Sequence, residues 1–379
     1  MWMIRYNLRL RYTRSVTGCI VNCTIRYYRC IASNKKLFLT LSIEFLLVVG
    51  VARIAVLSSS FGVYTPEAIE KLKSIADISR IELKGRSLSE DEAIEALRGF
   101  DVLILGGGCI VTERVLRETG LKVVARHGVG LDNVDIEAAT KLGIPILYTP
   151  HANARAVAEH TFALILSFSR RITLAHEYVR RLRATPPRLI GFELEGKKLG
   201  VIGFGAIGRI VAGIGRSFGM SILVYDPYVD SRFIEESGCR PVDLETLLRE
   251  SDIVTIHVPL TRETYHMIGE RELKLMKPTS LLVNTARGSV VDESALVKAL
   301  KEGWIAGAAL DVFEEEPLKP DNPLLSMDNV VATPHIAFLT VESVRRMDMM
   351  LVEDIERILT GKKPVRIANP EVLEKLSLV

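Results

Sequence analysis

Short apolar runs alternate with amphipathic stretches along most of the chain, beginning near residue 52. In the first part of this pattern the apolar runs predict strands at residues 53–58, 77–83, 101–105, 122–126 and 145–148. Amphipathic stretches of helical period lie between them, at residues 66–76, 89–97, 112–119 and 135–142. Such alternation is typical of a parallel sheet covered by helices on both faces.

Local signals support these helix boundaries. Ser89 and Glu92 have the spacing of a capping box at a helix start. Gly120 and Gly143 stand where a left-handed glycine ends a helix. The first α/β unit is therefore predicted from its ends as well as from its period.

A second series of the same kind follows. A long apolar helix is predicted over residues 154–169, and a charged helix continues to about residue 183. Strands are then predicted from Lys198 onward and at residues 252–258, 280–284, 305–311 and 329–333, before a final helix at 341–359. The chain thus contains two α/β units without a long linker between them.

Charge is unevenly placed along the 379 residues. The formal net charge is +3, yet residues 1–50 hold eight Lys and Arg against the single Glu44, so the remainder carries −4. The basic balance belongs to this leader and gives no reason to expect nucleic acid binding by the body. Only Cys109 and Cys239 lie outside the leader. Without metal-ligand spacing they predict neither a disulfide framework nor a metal site, and a reducing cytoplasm is expected.

The leader, residues 1–51, is expected to be disordered or non-native. Its Arg- and Tyr-rich start has no steady period, and Glu44 breaks its apolar run at residues 37–49. That run is shorter than the ~20 residues that span a membrane. A membrane anchor is the alternative, but it would have to take residues 52–58 from the first strand of the body.

The most informative motif follows the strand that begins at Lys198. That strand leads into Gly203, Gly205 and Gly208, spaced G-x-G-x-x-G, and after a helical stretch a second apolar run ends at Asp226. Gly203 permits the tight turn, Gly205 lets a pyrophosphate approach the backbone, and Gly208 lets the helix pack on the sheet. The helix N-terminus offers free N–H groups to the phosphates. Asp226 would bind the ribose hydroxyls and repel a 2′-phosphate, so this order predicts a Rossmann unit that binds NAD.

Three further polar segments begin at Asn284, Leu310 and Thr333, at strand ends where open α/β sheets place ligands. With other motifs they make the sequence resemble the D-isomer-specific 2-hydroxyacid dehydrogenases from residue 52 onward. The motifs are Arg126-His-Gly-Val-Gly-Leu-Asp-Asn133, Asn153-Ala-x-x-Val-Ala-Glu-His-Thr161, His257-Val-Pro-Leu-Thr261, Asn284-Thr-Ala-Arg-Gly-x-x-Val-Asp-Glu293, Leu310-Asp-Val-Phe-Glu-Glu-Glu-Pro317 and Thr333-Pro-His-Ile-Ala337.

The resemblance implies hydride transfer between the nicotinamide of NAD and C2 of a 2-hydroxy or 2-keto acid. His335 would be the acid/base, because a histidine changes charge near neutral pH, and Glu316 would orient its ring and stabilise its protonated form. Arg287 would grip the substrate carboxylate as a bidentate fork. The backbone N–H groups of Val129 and Gly130 would help to bind that carboxylate. Further cofactor contacts are implied for Ala206, Ile207, Pro259, Thr285 and Asp311, the last with the nicotinamide amide.

The predicted fold class is α/β with two doubly wound parallel-sheet domains. Residues 52–151 plus 336–379 would form a flavodoxin-like substrate domain, and residues 152–335 a Rossmann cofactor domain. Two crossings between them imply a hinge and a cleft that closes. The helix at 154–169 is apolar on more than one face, which favours a homodimer joined there, as in the family.

The resemblance favours 3-phosphoglycerate, glyoxylate or hydroxypyruvate as the substrate, with lactate-like acids as the alternative. Relatives that act on phosphoglycerate often carry an arginine in the loop after the third strand, but residues 106–109 read Gly-Gly-Gly-Cys. Ala206 also replaces a polar side chain that many relatives place near the pyrophosphate. Two alternatives are a formate dehydrogenase, disfavoured by Glu316, and an NAD-sensing corepressor-like binding module, which turnover would separate from an enzyme.

Overall fold

The computed structural model describes residues 4–10, 23–29, 51–83, 86–182, 189–374, 376 and 378. The chain divides into two compact units, residues 1–46 and 47–379. In the first unit, strands β1 (Ile4–Leu10) and β2 (Cys23–Arg29) pair antiparallel. The apolar run at 37–49 lies outside the described residues, so the proposed nature of the leader stays a prediction.

The second unit contains two fully parallel sheets. The first has five strands in the flavodoxin-like order β4-β3-β5-β6-β7. Its strands and the helices between them are β3 (Ala52–Leu57), α1 (Pro66–Lys73), β4 (Ala76–Arg80), α2 (Glu90–Leu97), β5 (Val102–Leu105), α3 (Glu113–Thr119), β6 (Val123–Arg126), α4 (Ile136–Leu142) and β7 (Ile146–Leu147). The Ser89–Glu92 capping box forms, and Gly120 and Gly143 adopt the left-handed conformation at helix ends.

The second sheet has seven strands in the Rossmann order β10-β9-β8-β11-β12-β13-β14. It is preceded by α5 (Ala154–Ser169) and α6 (Ile172–Leu182). Its elements are β8 (Lys198–Ile202), α7 (Ala206–Ser217), β9 (Ser221–Tyr225), α8 (Ser231–Glu236), β10 (Arg240–Pro241), α9 (Leu244–Glu250), β11 (Ile253–Ile256), α10 (Glu270–Leu275), β12 (Leu281–Asn284), α11 (Glu293–Glu302), β13 (Gly307–Leu310) and β14 (Val330–Ala332). The predicted fold class is confirmed.

The chain then returns to the first sheet. Helix α12 (Val341–Leu359) buries Leu351 and Ile355 against that sheet's core. Beyond it, Ile367 bridges antiparallel to Leu147, and the Asn369 side chain accepts a hydrogen bond from the Ile146 N–H at 2.8 Å. The first sheet is thus completed by residues from two distant parts of the chain.

The predicted strands were too long at several ends, and the short elements α8, β10 and α10, as well as the longer helices α9 and α11, were not predicted. Apolar residues continue past β11 into the loop at residues 257–260, where they pack without strand pairing, so hydrophobicity alone could not mark the strand end. Elements of two to six residues are too short to show a period. Among the described residues, no helix combines the length and apolar character that a membrane crossing requires.

Helix α5 does not leave an apolar face free, contrary to the argument from its composition. Phe162, Ile165 and Phe168 are buried in the core of the Rossmann sheet, and the exposed positions are Arg155, Glu159 and Ala163. The wide apolar surface is used within the chain, because α5 lies between α7 and strands β12 to β14. It is therefore no evidence for a subunit contact.

Candidate active site

The glycine-rich turn lies at the carboxyl end of β8, where the strand order of the Rossmann sheet reverses between β8 and β11. Gly203 has φ +92°, and a Cβ there would lie 2.8 Å from the His257 carbonyl group. A Cβ on Gly208 would lie 2.0 Å from the Gly203 oxygen. Gly205 has nothing within 4 Å of its would-be Cβ. The outer glycines are thus required by packing, whereas Gly205 faces open space.

These residues fit a dinucleotide. The amino end of α7 has no side-chain cap, so the N–H groups of Ala206 and Ile207 are available to an anion. Pro259 is exposed beyond β11. Thr285 is buried, and its hydroxyl is 3.0 Å from that of Thr161.

Asp226 follows β9 and is held rigidly. One carboxylate oxygen accepts a hydrogen bond from the Phe204 N–H at 2.8 Å, and the other accepts one from the Tyr228 N–H at 2.9 Å. The Tyr228 hydroxyl donates to Glu263 at 2.6 Å. Asp226 and Glu263 therefore both bring negative charge to the region that follows β9. Within the part of the chain that the structure describes, the hydrogen-bond partners of Asp226 are backbone N–H groups and include no Lys or Arg side chain.

His335 and Glu316 meet as the sequence predicted. Glu316 follows β13 and His335 follows β14, two neighbouring strands. The Nδ1 atom of His335 lies 2.7 Å from one oxygen of Glu316, whose other oxygen accepts a hydrogen bond from the Phe313 N–H at 3.1 Å. An ionised carboxylate only accepts, so Nδ1 carries the proton and Nε2 is left for a reacting group.

Asp311 supports the loop that carries His335. It is fully buried, and its two oxygens accept hydrogen bonds from the N–H groups of Ile336 at 3.0 Å and Ala337 at 2.8 Å. Burial alone would raise the pKa of the Asp311 carboxyl, but hydrogen bonds from His160, Thr333 and these N–H groups outweigh it and hold that pKa below its usual range. The contact of Asp311 with a nicotinamide amide, expected from the sequence, stays a prediction.

Arg287 follows β12 and reaches the first sheet. Its Nε donates to Asp132 at 2.5 Å and its Nη1 to the Ala286 carbonyl at 2.7 Å. Its Nη2 lies against Gly130, where a Cβ would come within 1.5 Å of it. The structure therefore brings Arg287 together with the Val129–Gly130 loop, which follows β6 in the other sheet.

Two residues of this region were not selected from the sequence. Asp132 orients Arg287, and Arg126 supports the loop by donating to the carbonyls of Gly130 at 2.9 Å and His127 at 2.8 Å. Burial, and then the nearby charge of Arg287, lowers the pKa of Arg126 to about 10. Both residues are charged and lie in the Arg126–Asn133 motif, and this was the sequence feature from which they could have been selected. Within the described ranges, no group of three metal-ligating side chains is assembled.

Comparison with known proteins agrees with this geometry. Residues 162–337 match the family model described as D-isomer specific 2-hydroxyacid dehydrogenase, NAD binding domain. A glyoxylate reductase of Aeropyrum pernix is 45% identical over 321 residues, which cover 82% of this chain and 94% of the relative. A D-3-phosphoglycerate dehydrogenase of Methanocaldococcus jannaschii is 42% identical over 79% of this chain and 57% of its own length. The crystal structure of TT0316 protein from Thermus thermophilus superposes with a TM-score of 0.76 at 34% identity, over 83% of this chain and 99% of that one.

The two parallel-sheet domains and their site define a nicotinamide-dependent oxidoreductase. The chain belongs to the D-isomer specific 2-hydroxyacid dehydrogenase family. It is an enzyme that uses a cofactor of the NAD type and acts between 2-hydroxy acids and 2-keto acids.

Proposed function

We propose that this enzyme reduces a small unphosphorylated 2-keto acid, glyoxylate or hydroxypyruvate, with NADH. The observation that supports this proposal best is the placement of three side chains at one edge of the Rossmann sheet. His335 and Glu316 form a pair after β14 and β13, and Arg287 follows the adjacent strand β12, with its guanidinium against Gly130. A proton donor and a carboxylate-binding fork are the two groups that reduction of a 2-keto acid needs.

The chain's own residues divide the work. The bound cofactor supplies the hydride donor or acceptor, and the α7 amino end, Gly205 and Asp226 would hold it. Arg287, with the N–H groups of Val129 and Gly130, would fix the substrate carboxylate and polarise the carbonyl. His335 Nε2 would give its proton to the substrate oxygen during reduction and take one during oxidation, while Glu316 stabilises the charged ring.

The substrate preference rests on the loop after β5. A Cβ on Gly106 would come 3.0 Å from the Ser58 Cα, and one on Gly108 would come 2.9 Å from Leu57 and Leu83, whereas Gly107 faces open space. Asn133 fixes the loop by donating to the Gly106 carbonyl at 3.0 Å. The loop thus offers no cation to a phosphate. Phosphohydroxypyruvate is the second candidate, because of the likeness to the M. jannaschii dehydrogenase.

The test is an NADH-oxidation screen over glyoxylate, hydroxypyruvate, pyruvate and phosphohydroxypyruvate. We expect the highest kcat/KM with glyoxylate or hydroxypyruvate. A clear preference for phosphohydroxypyruvate would reverse the substrate assignment. Binding of NADH without turnover of any acid would instead favour a cofactor-sensing binding module.

We expect NAD to be preferred over NADP. The Asp226 charge would repel a 2′-phosphate, and a unit charge pair at a half-exposed site changes binding by at least ~1.4 kcal/mol, about tenfold. Asp226→Asn removes the charge and keeps one acceptor, so it should lower the NADH:NADPH ratio of kcat/KM by about tenfold or more. Glu236→Ala, on the exposed face of α8, is the control. Equal use of both cofactors by the parent would contradict this.

We infer that residues 52–151 plus 336–379 form the substrate domain and residues 152–335 the cofactor domain. Support comes from α12 and Asn369, which pack on the first sheet.

A cytoplasmic location is proposed from the two buried free thiols, Cys109 and Cys239. Burial raises the pKa of the Cys109 thiol to about 11, which keeps it neutral and unreactive.

We also propose a homodimer, now placed on α6 instead of α5. Ile172 and Val179 lie seven residues apart on one helix face and are 53% and 58% exposed. Val179→Glu should give a monomer by light scattering at micromolar concentration, because a buried charge opposes association. Val365→Glu is a matched control, since Val365 is 57% exposed in the other domain. A parent protein that is already monomeric would remove the proposal.

A further inference from the structure

A chain of hydrogen bonds links helix α5 to the loop of His335. His160 Nε2 lies 3.0 Å from the Thr333 hydroxyl oxygen and 3.5 Å from one oxygen of Asp311, and the Thr333 hydroxyl lies 2.5 Å from that same oxygen. The carboxylate can only accept, so the Thr333 proton points to Asp311. The Thr333 oxygen is then free to accept a hydrogen bond, so the donor in its contact with His160 is the Nε2–H group of the imidazole. The chain has one direction, from His160 through Thr333 to Asp311.

Asp311, the last member of this hydrogen-bond series, holds the backbone of His335 and of the two residues that follow it. Asp311 accepts hydrogen bonds from the N–H groups of Ile336 and Ala337, and its own carbonyl accepts one from the His335 N–H at 2.8 Å. His335 has φ +55°, a left-handed conformation that a residue with a Cβ adopts only when its surroundings hold it there. The position of the imidazole therefore depends on contacts outside the pair with Glu316.

The near end is rigid. His160 is flanked on α5 by Val157 and Thr161, both buried, and its side chain is four-fifths buried itself. The Thr161 hydroxyl also bonds back to the Val157 carbonyl at 2.8 Å. A buried carboxylate such as Asp311 needs its donors, because each missing one leaves desolvated charge uncompensated.

We propose that His160 is a positioning residue for His335, acting through Thr333 and Asp311. This rests on the proposed acid/base role of His335. His160 does not reach the reacting atoms: it fixes the angle from which His335 meets Glu316 and the substrate. The alternative is that the His160 imidazole only fills space in the core and stabilises α5. A substitution would then change the stability of the protein but not the pH profile of kcat.

The experiment compares His160→Leu with His160→Gln. Leucine removes the donor, and glutamine places an N–H close to the position of His160 Nε2. For His160→Leu we expect kcat to fall on the order of tenfold to a hundredfold, as misplacement of a reacting group by about 1 Å does, with KM for NADH unchanged. The alkaline limb of the kcat profile for reduction should move to lower pH, since a displaced ring loses part of its stabilisation by Glu316. His160→Gln should recover most of both.

Two further measurements make the result decisive. Thr333→Val and the double variant His160→Leu/Thr333→Val should show that the losses are not additive, since both break one chain. His335→Ala is assayed in parallel. If His335→Ala is inactive but His160→Leu keeps its pH profile and kcat, or loses kcat without a pH shift and without rescue by Gln, the positioning role is wrong. If His335→Ala stays active, the proposed catalytic role itself is wrong.

Discussion

Arg287→Ala is expected to lose about 10²- to 10³-fold in kcat/KM while its affinity for NADH stays nearly unchanged. The reason is that Arg287 is a preorganised charged donor facing the Val129–Gly130 loop, and removing one such donor costs roughly 3–4 kcal/mol of transition-state stabilisation. Steady-state kinetics with the best keto acid and fluorescence titration of NADH measure the two quantities. Near-normal turnover with every 2-keto acid would show that Arg287 does not hold the substrate.

Gly130→Ala tests the same geometry from the opposite side of the cleft. The new methyl group would meet the Arg287 Nη2 atom at 1.5 Å, and that atom is the tip of a flexible side chain. The fold should therefore survive with an unchanged Tm, while Arg287 is pushed away from the substrate and activity falls at least tenfold. Gly107→Ala is the matched control, because nothing lies within 4 Å of its Cβ. Equal activity of both variants would contradict the observed approach of Arg287 to Gly130.

His335→Ala is expected to lose about 10²- to 10⁴-fold in kcat in both directions, the usual contribution of a positioned acid/base. In the parent enzyme the pH profiles of the two directions should oppose each other. Reduction needs the protonated ring and should fail as pH rises, whereas oxidation needs the neutral ring and should fail as pH falls. Profiles that run in the same direction would count against His335 as the group that carries the proton.

Glu316→Gln refines this second prediction. Loss of the negative charge 2.7 Å from His335 Nδ1 destabilises the protonated imidazole. The pH at which reduction loses half its rate should therefore move downward. Glu315→Gln is the control, because Glu315 is exposed and pairs with Lys319 at 2.7 Å instead. An unchanged pH profile in Glu316→Gln would show that Glu316 does not stabilise the protonated form of His335.

The cofactor site could be predicted because its requirements are local. Gly203, Gly208 and Asp226 lie within one strand-helix-strand unit, and the structure shows that each outer glycine touches backbone where a Cβ has no room. His335, Glu316 and Arg287 were selected as candidates because they lie in motifs of a known family. The chemistry of each motif then restricted which of its charged residues could react.

Contacts between distant segments could not be predicted in the same way. Asp132 meets Arg287 across 155 residues and His160 meets Thr333 across 173, and no period or spacing records such a pair. The helix at 154–169 shows the same difficulty from another side. Its composition revealed that α5 would be widely buried, but burial by its own sheet and burial by a second subunit have the same sequence pattern.

The edge of the first sheet has a consequence for how the chain acquires its structure. Ile146 in β7 is bonded by the Asn369 side chain, 223 residues further along, while every strand of the Rossmann sheet comes from the continuous stretch 198–332. During synthesis the cofactor-binding half can fold as soon as that stretch has emerged, but the half that precedes it must wait with one edge unprotected. Pairing of such separated segments is slow, because loop closure precedes any gain from contact. Newly made chains are therefore expected to pass through an intermediate with a finished Rossmann sheet and an open first sheet, which is the species most exposed to aggregation or proteolysis.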